Sequence, residues 1–62
     1  MNIREGEVFK NTTDGVDFIV KKIVEDMVVL ESQDGKRQIL TGTHTLASKS
    51  SSFVRKKEGE ES

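Results

Sequence analysis

The chain has 62 residues, no Cys, Trp, Tyr or Pro, and a formal net charge of −1. That length allows one small domain, which buries only roughly 60% of the surface its unfolded form exposes, and the missing Cys excludes disulfide staples and thiolate metal sites. The segment NIREGE after Met1 lacks the apolar stretch of a secretory signal, and the longest apolar runs, FIV and MVVL, fall far short of a membrane span.

A soluble, cytoplasmic protein without membrane contact is the expectation. Seven Val, four Ile and three Phe stand against three Leu and one Ala. β-Branched and aromatic side chains suit a pleated sheet better than a helix.

In chain order, Glu7 to Asn11 reads as a first short strand, closed by NTTDG, whose Asp14-Gly15 is strong turn chemistry. A second strand follows in VDFIVKKIV. Val16, Phe18 and Val20 keep period two, but Ile23-Val24 falls out of phase by one residue, which predicts a β-bulge or sharp bend at Lys21-Lys22. Glu25-Asp26 breaks the chain and MVVLES supplies a third strand. A two-residue turn at Asp34-Gly35 would pair Gln33 with Lys36, Leu30 with Ile39 and Val28 with Thr41. That register places Val28, Leu30 and Ile39 on one face, and Val29, Glu31, Gln38 and Leu40 on the other. A three-residue loop, pairing Glu31 with Arg37, is the alternative.

Gly42 ends the fourth strand. THTLASKSSS reads as a loop with one helical turn that drops Leu46 onto the core, and SFVR is a short final strand. KKEGEES contains no apolar residue and is expected to be disordered. The expected core is Val8, Phe18, Val20, Ile23, Val28, Leu30, Ile39, Leu46 and Phe53.

This order of elements, with GEVF, a long second strand and MVVLESQDGKRQILTG, resembles the SH3-like small barrels, the KOW, Tudor and LSm types in particular. The resemblance covers about residues 3 to 56 and lies in element order and length. It implies an all-β, five-stranded SH3-like barrel over residues 1–56 with an acidic tail at 57–62. Family members that take proline-rich peptides or cage methylated side chains rely on Tyr and Trp clusters, which are absent here. A KOW-like mode, using basic side chains and backbone, is the family function that remains.

Catalysis is poorly served. His44 is the only His, no carboxylate lies near it in sequence, and the five Gly are scattered rather than set in a phosphate-cradling loop. Ser48 to Ser52 with Asp34 could be written as a triad, but a dry, rigid pocket is beyond so short a chain. No enzyme activity, metal or cofactor is expected.

Two surfaces are candidates for binding. From Gly35 to Lys57 there is no acidic residue, and residues 36–57 carry Lys36, Arg37, Lys49, Arg55, Lys56 and Lys57, with seven Ser and Thr as further donors. If they converge, these groups would hold phosphates of RNA or single-stranded DNA weakly and in a salt-sensitive way, with Lys21 and Lys22 as additions and Phe9 as a stacking residue. The other surface is the second sheet face, with Ile19, Met27, Val29 and Leu40 and with Val24 and Phe9 as additions. It is more apolar than a small monomer usually leaves in water. The adopted reading is a small non-enzymatic module for protein–protein interaction, with a protein partner or a second copy on that face. Nucleic-acid binding through the 36–57 segment is the alternative.

Overall fold

A computed structural model describes residues 3–48 and 51–56. Five strands, β1 (Val8–Asn11), β2 (Asp17–Val24), β3 (Met27–Ser32), β4 (Gln38–Gly42) and β5 (Phe53–Lys56), form one antiparallel sheet in the order β4-β3-β2-β1-β5. A short helix, α1 (Thr43–Ala47), follows β4 directly. The sheet is not closed into a barrel: β4 and β5 are its two edges. The expected acidic tail lies outside the described residues.

The element boundaries follow local chemistry. After β1, Asn11 Oδ1 accepts the Thr13 N–H (2.8 Å) and Asp14 Oδ1 the Val16 N–H (3.0 Å), while Gly15 supplies the positive φ of +75° that closes the turn. In β2 the ladder to β3 shifts between Val20 and Lys22: Val20 faces Leu30 and Lys22 faces Val29, so Lys21 has no partner. The phase slip in VDFIVKKIV is therefore a bulge, and it keeps Val20 and Ile23 on the core side together. The β2–β3 turn places Glu25 at a φ of +54°.

The β3–β4 register is the expected one, with Leu30 facing Ile39 and Val28 facing Thr41. The connection is longer than the expected two-residue turn, since the ladder ends at Glu31 and Gln38. The cause is Ser32. Its C=O accepts the Gly35 N–H (2.8 Å), and its Oγ accepts the Arg37 N–H (3.1 Å) while donating to Asp34 Oδ1 (2.6 Å). Gln33 turns away and donates its N–H to Asp17 C=O (3.1 Å).

One face of the sheet holds the core: Phe9, Phe18, Val20, Val28 and Leu30, with Leu46 delivered from α1. Ile3, Val16, Ile23, Ile39 and Phe53 pack against it, half-buried. Phe53 meets Phe18 edge-on, with ring centroids 5.5 Å apart and planes at 86°. The expected core is corrected in β1. Val8 is half-buried on the outer face, opposite Ile19, and Phe9 is buried in its place. Phe9 lies directly across the ladder from Phe18, and residues facing each other across antiparallel strands share a face. Burial of Phe18 therefore fixes the phase of β1.

Candidate functional site

The phase of β1 brings Glu7 to the rim of the core face, two residues before Phe9. Arg55, which faces Phe9 across β1 and β5, meets it there: Arg55 Nε lies 3.1 Å from Glu7 Oε2. Its guanidinium also stands over the Phe9 ring, 5.5 Å from the centroid. Arg37 makes a matching arrangement at the other side of the sheet, 5.4 Å from the Phe18 centroid, with its Nη2 3.1 Å from Asp14 Oδ2. Lys56 points to the outer face and places Nζ 3.0 Å from Asp17 Oδ2.

Among the described basic residues, Arg37 and Arg55 stand over the opposed rings of Phe18 and Phe9, while Lys56 leaves on the other face. Arg37 lies beside the β3–β4 loop, and Arg55 lies on the core face of the far edge strand. Lys56 lies on the outer face of that same strand, and each of the three meets a carboxylate. Lys36 is exposed in the β3–β4 loop, Lys21 at the bulge, and Lys22 on the outer face across from Val29. Lys49 and Lys57 lie outside the described residues. Phe9 offers no stacking surface, being 2% exposed.

The two carboxylates that cap turns are acidified by their settings. The Val16 N–H is the largest influence holding the Asp14 carboxyl below its ordinary value of 3.8, and Arg37 adds to it. The Asp34 carboxyl is lowered chiefly by the Ser32 hydroxyl, then by the Lys36 N–H. Both groups are at the surface and serve turn geometry. His44 is exposed in α1, and no group of three or more His, Cys, Asp or Glu side chains among the described residues is placed to hold a metal ion. No helix among the described residues is long and apolar enough to cross a membrane.

The apolar residues of the outer face are brought together. Val29 faces Leu40 across β3 and β4, Met27 lies two positions along β3, and Ile19 is diagonal to Val29 across β2. Val24 faces Met27 across the β2–β3 ladder and extends the patch. Leu40 is 67% exposed, Val24 53% and Met27 39%, with Val29 half-buried among them and Ile19, opposite Glu31 and Val8, half-buried farther along β2. On the outer face Val24, Met27, Val29 and Leu40 therefore adjoin one another, with Lys22 beside Val29 and the most exposed of the four, Leu40, on the sheet edge. No protein-family model matches this chain, and no curated protein or solved structure matches it at a significant level.

Proposed function

We propose that this chain is a non-enzymatic protein-interaction module that binds through the outer face of β2, β3 and β4. The observation carrying this reading is the exposure of Leu40, Val24 and Met27 around Val29 on one continuous face. Covering a Leu or Met side chain contributes about 1.5–3 kcal/mol when its burial becomes complete, so a few such contacts supply useful affinity. The ion pairs of Arg37, Arg55 and Lys56 weigh against the alternative, because a phosphate would have to displace a carboxylate at each. We also infer that the fold is an opened relative of the SH3-like barrels. The strand order, the bulged long β2 and the short helix before β5 support that inference.

The test is retention of proteins by the tagged full chain, compared with Met27→Lys and Lys36→Glu. The expected result is a defined set lost with Met27→Lys and kept with Lys36→Glu. A set lost with Lys36→Glu, or released by nuclease, would move the function to nucleic acid.

A further inference from the structure

The two edges of the sheet differ chemically. On β5, Arg55 and Lys56 engage Glu7 and Asp17, and the Phe53 N–H is taken by Ser51 Oγ at 3.0 Å. Charged side chains and occupied backbone groups are how sheet edges avoid pairing with other chains. The other edge, β4, reads Gln-Ile-Leu-Thr-Gly, with no ionisable side chain and no Pro.

Its free backbone groups can be assigned from the register. Thr43 donates its N–H to Asp26 C=O and Ser32 donates its N–H to Arg37 C=O, both at 2.8 to 2.9 Å. These pairs share the register of Val28–Thr41 and Leu30–Ile39. In an antiparallel ladder alternate residues turn toward the neighbour, so Ile39 and Thr41 bond to β3. Gln38, Leu40 and Gly42 then direct their N–H and C=O away from the sheet. The Gly42 C=O is engaged as the N-cap of α1, which leaves its N–H available.

We propose that β4 pairs antiparallel with β4 of a second copy, about a two-fold axis through Leu40. In this register Leu40 of each copy donates to and accepts from Leu40 of the other. Gly42 N–H of each copy donates to Gln38 C=O of the other, which matches one available donor to one available acceptor. No like charges are opposed along the seam. The nearest cation, Arg37, falls opposite Thr43 of the second copy and keeps its own partner, Asp14. The two Leu40 side chains emerge side by side on the outer face, so the Val29–Leu40 stripe of each copy continues into the other. This inference deepens the outer-face reading and rests on it for the role of Leu40. One short strand buries less than the roughly 1,200 Å² of a stable interface, so the association is weak and concentration-dependent.

Sedimentation equilibrium and amide exchange by NMR on the full chain, from roughly 10 μM to 1 mM, test the proposal. The expected result is a mass rising toward the dimer, with exchange at Leu40 and Gly42 slowing as concentration rises while Ile39 and Thr41 stay unchanged. Leu40→Lys should be monomeric with a dispersed spectrum. Val54→Lys, on the opposite edge and 54% exposed in the native chain, should dimerise as before. Should Leu40→Lys fail to fold, the alternating exchange pattern of the native chain decides alone. A chain monomeric at the highest concentration overturns the proposal, as does a dimer that survives Leu40→Lys or protects β5 instead. A monomer whose protein partners are still lost with Met27→Lys would remove the second copy and leave the outer-face reading standing.

Discussion

Arg55 and Glu7 form an ion pair at 3.1 Å on the core side of the sheet, with side chains only 23% and 26% exposed. The pair follows from the phase of β1, because burying Phe9 obliges Glu7 to share its face. Arg55→Met leaves the Glu7 carboxylate at the core rim with the Arg4 N–H (2.8 Å) but no cation, and should destabilise by about 1–2 kcal/mol. Glu7→Gln together with Arg55→Met should cost less than the sum of the single changes, since the carboxylate charge facing Arg55 is gone. Urea unfolding of the four proteins measures the cycle; simple additivity would show that the pair is not coupled.

Phe18 is fully buried and meets both Phe53 and Arg37. Phe18→Ala should cost about 3–5 kcal/mol, comparable to the whole stability of a domain this small, about 5 kcal/mol at the low end. The expected outcome is a collapsed amide spectrum at 25 °C. Retention of native dispersion would mean the core can close over the void.

Glu25 holds a φ of +54° in the β2–β3 turn, a left-handed conformation that costs a residue with a Cβ about 1–2 kcal/mol. Glu25→Gly removes that strain but adds freedom to the unfolded chain. The balance should be a gain of about 0.5–1 kcal/mol, seen as a rise of a few degrees in Tm. A lowered Tm would show that the Glu25 side chain contributes something its backbone does not reveal.

Acid should weaken the fold through Asp14 and Asp34. Both have folded pKa values below the ordinary one, so their contribution is fully present above the unfolded value of about 3.9. It is lost as pH falls through the lower folded values. The urea midpoint should therefore drop below about pH 4. Asp34→Asn keeps an oxygen acceptor for Ser32 and Lys36 but cannot titrate, so its profile should be flatter over that range. An unchanged slope would place the acid sensitivity at other carboxylates.

Much of the fold was legible in the sequence. Asp14-Gly15 and the slip at Lys21-Lys22 are local signals, written in turn chemistry and side-chain period. So is the pairing of Leu30 with Ile39, because apolar residues on both strands must share the core side. β1 was misread because Val8-Phe9 is one adjacent apolar pair, which carries no period of its own. Only the cross-strand neighbour Phe18 settles it. Whether the basic residues converge is not written in their contiguity along the sequence. Lys56 and Arg55 are consecutive on a strand and therefore leave on opposite faces, each toward its own carboxylate. The outer-face residues Ile19, Met27, Val29 and Leu40 were legible because period two places them together once the β3–β4 register is known.

The unpaired Lys21 gives β2 a spare link. Val20 and Lys22 already face consecutive residues of β3, Leu30 and Val29. Deleting Lys21 would therefore leave every side chain of β2 on the face it now occupies. Deleting Lys22 instead would give the identical sequence, so the slack belongs to the Lys21-Lys22 pair. Among relatives of this chain that differ in length, the second strand should lose or regain its single residue at this point.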